Sequence, residues 1–408
     1  MFRFILLFIV ASFAAFAAFA ATPSVKVNDT QAEFEQQDFE VFLAEIYSQA
    51  VAQGVSKSTL DKAFSGLKPD PKVIGYDRNQ AEFTLNFWRY LNSRVSDKRL
   101  QKGQKKLQKH QDLLAKIQQK YGVNPAILMA FWGLESNYGR NVGKMNLVRS
   151  LATLSFDLRR RNFFTKELLI LLKLIDDGKL PADVQGSWAG AMGAAQFMPS
   201  NVAAYAVDSD SDGELDLWNS LADIMHSSAN FLVHIGWHAG EKWGQEVALK
   251  PDFDFSLANL RTKKSVNEWQ ILGVRQADNT NLPSSEAPAA LILPMGFEGP
   301  AFLVYHNFRT ILRWNRSILY ALAVGHLADK FSNNQALFAK PIVQKSLSRD
   351  DVLEMQIQLN KLGFSAGKPD GISGPKTRAA ARKYQAKNSL PVDGYVGYQL
   401  LQQLQNER

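Results

Sequence analysis

No cysteine occurs in the 408 residues. That absence excludes disulfides, thiol nucleophiles and cysteine-ligated metals; it is compatible with an oxidising compartment without proving one. Histidine is scarce, with 6 copies. His226, His234, His238, His306 and His326 lack metal-ligand spacing backed by a carboxylate cluster, so they read as surface or core residues. Nucleic-acid motifs are missing too, and nucleic acid is not an expected partner. The net charge of +8 is spread along the chain, densest at Lys98–Lys109, and suits an acidic polymer substrate or a solvated basic face. Charged residues at 21% and apolar residues at 46% are ordinary for a globular protein, and the length suggests two or three domains.

The long apolar run stands at the start. Arg3 precedes Phe4–Val10 and a Phe/Ala stretch, and Ala18-Phe19-Ala20 fits a small-residue cleavage site. Residues 1–21 therefore read as a signal peptide, preferred to an uncleaved anchor of near-spanning length. No cysteine follows the run, which excludes a lipid-anchored lipoprotein. The mature chain is expected to be exported.

What is present is dominantly helical from about residue 31 to 238. Phe39–Ala52 carries apolar Val41, Phe42, Ile46 and Val51; Thr165–Asp176 and Ala222–Ile235 are further helices. Between 247 and 304 short segments such as Ala289–Leu293 and Ala301–Tyr305, broken by Gly and Pro, read as small strands. Phe308–Leu327 returns to helix, and 336–346 reads as a linker.

One helix stands out. Asn124 suits the cap and Pro125 the first turn of a segment running Ala126, Ile127, Leu128, Met129, Ala130, Phe131, Trp132, Leu134, with Gly139 as a stop. It is apolar all round, hence buried, and its single carboxylate is Glu135. Desolvation and the negative helix end both raise such a pKa, as a general acid requires. A buried Glu held by an Arg or Lys is the other reading.

Gly186–Ser200 (GSWAGAMGAAQFMPS) is rich in small residues, which suits either tight packing or a floor for sugars and amides. Ser187 and Gln196 are its polar contacts. Among Trp132, Trp188, Trp218, Trp237 and Trp314 most read as core, and Trp188, inside this motif, is the stacking candidate. Asp208, Asp210, Asp212, Gly213 and Glu214 have the early spacing of a calcium loop, but Asn219 stands where the bidentate Glu belongs. A weak structural Ca2+ site closed by Asp223 and a solvated acidic turn both remain open.

The last sixty residues form a module. Val352, Met355, Leu359 and Leu362 share one helical face, and Thr377, Ala380, Ala381 and Tyr384 another; DGISG at 370–374 is echoed by DGYVG at 393–397. With MQIQLNKLGF and KYQAKNSLPVDG, this arrangement resembles the peptidoglycan-binding domain type 1, a three-helix wall-binding module.

WGLESNYGR, GSWAGAMGAAQFMPS, YAVDSDSDGELDLWNSLAD and NFRTILRWNRSILYALAVGHLAD, in this order, resemble the lytic murein transglycosylase B family over roughly residues 35–330. The resemblance implies a mainly α fold. A lysozyme-like helical catalytic domain with a small β-containing subdomain would occupy 22–335, and a small three-helix domain 347–408. It implies cleavage of the MurNAc–GlcNAc bond of peptidoglycan in the periplasm of a Gram-negative bacterium, with no cofactor required. Glycan strands are the implied partner, and other cell-wall enzymes are further candidates. The family's catalytic Glu falls on Glu135, its serine on Ser187, its glutamine on Gln196, and its Asn and Tyr on Asn315 and Tyr320. A cleft tyrosine corresponds to Tyr90, and one arginine of 159–161, taken as Arg160, is expected to face substrate.

The converging segments offer only Glu135 where an ordinary glycosidase needs two carboxylates. Assistance from the MurNAc acetamido group, followed by attack of the sugar's C6 hydroxyl, removes that need and gives a 1,6-anhydro end. A hydrolytic muramidase and a non-catalytic wall-binding scaffold are the competing readings.

Overall fold

The computed structural model describes residues 29–78 and 86–407. The leader expected at 1–21 lies outside the described residues. The chain is mostly helical with small sheets, and no described helix is long and apolar enough to cross a membrane. It divides into two compact units. One joins 29–78 with 103–235, and the other joins 86–102 with 236–407. The division runs through the span 22–335 that the sequence suggests as one domain.

The first unit, which carries Glu135, is built around the helices Pro125–Ser136, Leu147–Phe156 and Arg161–Asp176. Helix Asp29–Ala52 buries Phe39, Phe42, Leu43, Ile46 and Ala50, whereas Val41 and Val51, apolar too, are exposed. The true stripe follows a 3–4 spacing from Phe39, which leaves Val41 and Val51 on the outer side. The strands Met145–Asn146 and Gln185–Gly186 pair antiparallel and tether the start of the glycine-rich motif beside helix Leu147–Phe156.

The second unit holds an antiparallel five-stranded sheet in the order Lys264–Ser265, Pro288–Ile292, Ala301–Val304, Gly244–Leu249, Val274–Gln276. Its core gathers Val247, Phe253, Trp269, Val274, Leu291 and Leu303. The single helix expected over 308–327 is two helices, His306–Trp314 and Ile318–Asn333. Neither Gly nor Pro marks the break. Asn315 accepts the Ser317 N–H on Oδ1 (3.0 Å), and Ser317 accepts the Tyr320 N–H on Oγ (3.2 Å), so two side chains replace the backbone ladder there.

The same unit contains the C-terminal three-helix module, Arg349–Lys361, Pro375–Lys387 and Tyr398–Asn406, around Met355, Leu359, Ala381, Tyr384 and Leu401. Leu362, expected inside, ends the first helix and is exposed. The two DG turns share one device. Gln356 Oε1 accepts the N–H groups of Asp370 and Gly371 (both 2.8 Å) while its Nε2 donates to Asp370 Oδ1 (2.9 Å). Gln385 likewise accepts from Gly394 N–H (2.8 Å) and donates to Asp393 Oδ1 (2.7 Å). Asp393 alone goes further, taking the Phe297 N–H of a sheet loop on Oδ2 (2.9 Å).

Candidate active site

Helix Pro125–Ser136 forms as its sequence suggests. Asn124 Oδ1 accepts the Ala126 N–H (2.8 Å), and residues 126–136 are all buried. It stops at Asn137 rather than Gly139, because Asn137 and Tyr138 take left-handed φ of 51° and 62°. Glu135 sits in the last turn and is 2% exposed.

The turn after this helix folds onto the glycine-rich motif. Ser136 Oγ donates to Ala194 O (2.7 Å), Gln196 Nε2 donates to Val142 O (3.3 Å), and Gly143 lies directly on the Gly186–Ser187 backbone, where a Cβ would collide. Glu135, Ser187 and Gln196, far apart in sequence, are thus carried by segments bonded to one another. The small residues of the motif serve this packing. The Cβ position of Gly186 is filled by Ala191 O, that of Gly190 by Leu151 and that of Gly193 by Leu217 O. Of the two readings of those residues, close packing of the motif on its neighbours accounts for all three glycines.

Each polar residue of the motif has a defined face. Ser187 Oγ accepts the Ala191 N–H (3.0 Å), so its own hydroxyl proton is the part left to donate. Gln196, at φ 51°, donates from Nε2 to Val142 O and, at 2.8 Å, to Gly193 O. Both amide protons are spent, and the Oε1 acceptor is what it presents.

Trp188 is 5% exposed, with the Tyr76 ring 6.4 Å from its own. Arg160 is bonded to Asp77 and its guanidinium lies 4.8 Å from the Phe164 ring; burial lowers its pKa, partly offset by the Asp157 charge. Arg159 shares Asp77, while Arg161 donates to the carbonyls of Ser155 (3.2 Å) and Phe156 (3.0 Å). The other expected site residues belong to the second unit. Tyr90 lies on helix Phe87–Arg94 with the Arg94 guanidinium 5.3 Å from its ring. Asn315 ends helix His306–Trp314, and Tyr320 opens the next; all three are buried.

Two residues went unread in the sequence. Glu167, 1% exposed, accepts the N–H (2.9 Å) and hydroxyl (2.7 Å) of Ser200, bracing the end of QFMPS. Burial pushes its carboxyl up, and the two bonds from Ser200 pull it back. Its signal was a lone acid inside the apolar stripe of TKELLILLKLID. Lys106 lies 4.5 Å from the Trp132 ring, one turn from Glu135, and burial followed by the Lys109 charge lowers its pKa.

In the acidic loop, ligand oxygens of Asp208, Asp210 and Asp212 lie within 4.8 Å of one another. Glu214 is exposed and outside this cluster. Asp223, 1% exposed, closes the loop from below by accepting Ser209 N–H (2.9 Å), Ser209 hydroxyl (2.7 Å) and Asp216 N–H (3.1 Å).

Residues 38–329 match the Transglycosylase SLT domain family, and 348–404 match a peptidoglycan binding domain family. The chain belongs to the SLT transglycosylase family. It is a peptidoglycan lytic transglycosylase with a peptidoglycan-binding domain. The membrane-bound lytic murein transglycosylase B of Escherichia coli is 34% identical over 292 residues, 68% of this chain and 78% of that one. SltB3 from Pseudomonas aeruginosa, solved in complex with NAG-anhNAM-pentapeptide, is 44% identical with TM-score 0.86, over 90% of this chain and 99% of that one. The Escherichia coli lytic transglycosylase Slt35 in complex with calcium is 29% identical with TM-score 0.61, over 75% of this chain and 98% of that one. The fold expected from the sequence, a lysozyme-like helical enzyme with small sheets and C-terminal helices, is the fold found.

Proposed function

We propose that this transglycosylase cleaves the MurNAc-β-1,4-GlcNAc bond without water, with Glu135 as acid and then base. The observation that carries the reading is the setting of Glu135, a carboxylate 2% exposed in the last turn of a helix that is apolar all round. Among the described residues of its unit, the other carboxylates buried to the same degree are committed elsewhere. Asp77 holds Arg159 and Arg160, Glu167 holds Ser200, and Asp223 holds the acidic loop. That distribution supports a route needing one carboxylate.

In the first step the MurNAc acetamido oxygen attacks C1 as the C1–O4 bond breaks, and O4 takes the proton of Glu135. In the second, Glu135 accepts the C6 hydroxyl proton, C6–O attacks C1, and the oxazolinium reopens to the acetamide. Glu135 ends as it began and no water is consumed. Ser187, with a hydroxyl proton to give, suits the acetamido oxygen. Gln196 Oε1 suits a substrate N–H or O–H, and Trp188 and Arg160 would line the sugars; Asn315, Tyr90 and Tyr320 are the substrate-binding candidates of the other unit. The anhydro sugar named in the SltB3 complex supports the same product.

The Asp208, Asp210 and Asp212 oxygens suit a hard cation, and a calcium complex is described for Slt35. A bound Ca2+ would brace the loop and take no part in the chemistry. The apolar leader supports export to the periplasm, with 347–408 holding the enzyme on the wall.

The test is digestion of purified sacculi followed by mass spectrometry. Wild type is expected to release muropeptides one water lighter than hydrolysis products, and Glu135→Gln to lose turnover on the order of 10³-fold. Hydrated ends would identify a muramidase, and equal clearance by both proteins would remove Glu135 from the mechanism.

A further inference from the structure

We propose that Tyr76 is a substrate-contacting residue whose ring stacks on an N-acetylhexosamine of the glycan strand, next to the Trp188 ring of the Ser187 motif. The inference rests on the glycan-binding reading of that motif.

Tyr76 lies on the short helix Pro71–Arg78. Its mounting is stiff. Val73 and Asp77, one turn apart, are both buried; Asp77 takes the guanidinium groups of Arg159 and Arg160; and just before the helix the Asp70 N–H donates to Thr153 Oγ1 (3.0 Å) while Arg149 Nε donates to Lys68 O (2.9 Å). A helix tied at both ends nevertheless leaves the Tyr76 side of its surface open. The residue is 50% exposed, unusual for an aromatic whose body gains from burial. Among the described residues of this unit, the other exposed large apolar side chains, Val41, Val51, Leu158 and Val233, are aliphatic and offer no ring face.

Its neighbour decides the ligand. The Tyr76 ring centroid lies 6.4 Å from that of Trp188, at 40° between planes, and Trp188 follows Ser187 directly. A flat, rigid aromatic face with a hydroxyl at its rim matches the C–H face and hydroxyl edge of a pyranose.

The experiment measures binding of a defined GlcNAc–MurNAc tetrasaccharide by calorimetry in the Glu135→Gln background, so that ligand is not consumed. Tyr76→Leu, which keeps an apolar side chain but no ring, is expected to raise Kd about three- to tenfold, and Tyr76→Phe to restore most of the affinity. In the wild-type background Tyr76→Leu should raise KM more than it lowers kcat. Unchanged affinity in Tyr76→Leu overturns the proposal, whatever its melting temperature, and so does equal loss in Leu and Phe. Failure of the acid assignment shows separately, as a Glu135→Gln protein that still clears sacculi; the comparison is then made on KM.

Discussion

Asp329 receives the indole N–H of Trp243 between its two carboxylate oxygens, at 3.2 and 3.1 Å, and one turn earlier on the same helix His326 is buried. Burial pushes the Asp329 carboxyl up to about 6, against the Trp243 bond and the Lys242 charge. Burial, helped by the Lys330 charge, holds His326 down at about 4. The two oppose each other. As pH rises from 3.8 to 6 the folded Asp329 gives up a proton later than its unfolded form, so stability falls. As pH rises from 4 to 6.5 the unfolded His326 gives up a proton that the folded form has already released, so stability grows. Each contributes about 3 kcal/mol over its window, so the pair leaves a nearly flat profile between roughly pH 4 and 6. Removing the histidine with His326→Gln should expose the aspartate alone, with stability rising as pH is lowered through that window. Asp329→Asn should stabilise at pH 8 and not at pH 4. Urea unfolding across pH checks both signs.

Ser187→Ala removes a hydroxyl whose acceptor side is taken by Ala191 N–H. If its proton serves the substrate, kcat should fall on the order of 100-fold with little change in KM. Steady-state turnover of a soluble muropeptide substrate reads this out, and a matched loss in melting temperature would instead assign the effect to the Ala191 N–H left unbonded.

The two DG turns of the C-terminal module give a matched pair. Asp370→Ala and Asp393→Ala each remove bonds to the partnering glutamine and to a turn N–H, at 2.7–2.9 Å, and each should cost the module about 1–3 kcal/mol. Only Asp393→Ala should also speed hydrogen exchange at the Phe297 amide, which Asp393 alone holds. Equal exchange in the two variants would remove the link between module and sheet loop.

Millimolar Ca2+ should raise the melting temperature of the wild type by a few degrees, with Kd on the order of 10⁻⁴–10⁻³ M, and Asp210→Asn should abolish the shift. The Asp210 carboxyl is pushed up by desolvation first and then by the charges of Asp212 and Asp223. Binding should therefore weaken toward acid pH earlier than for an ordinary carboxylate, which titration calorimetry at two pH values measures.

Much of the candidate site's local structure was legible because its signals are local. An Asn cap, a Pro in the first turn and an unbroken apolar run give the Glu135 helix, and a polar pair in a field of small residues gives Ser187 and Gln196. What stayed hidden depends on distant chain. The role of the glycines at 186, 190 and 193 follows from Ala191, Leu151 and Leu217 filling their Cβ positions, which no spacing reveals. The helix break at Asn315 is made by two side-chain bonds without Gly or Pro. Tyr76 lies on an unremarkable short helix, and only its place beside Trp188 distinguishes it.

The chain leaves its first compact unit near residue 80, returns at 103 and departs again at 236, so neither unit is one continuous length. As the chain emerges N-terminus first, the Glu135 unit can close once residue 235 is available, whereas helix Phe87–Arg94, presented earlier, has to wait for its partner Ile318–Asn333. The amphipathic face of that early helix, with Phe87, Trp88 and Leu91, is thus left uncovered until then, and holdase chaperones should find it there.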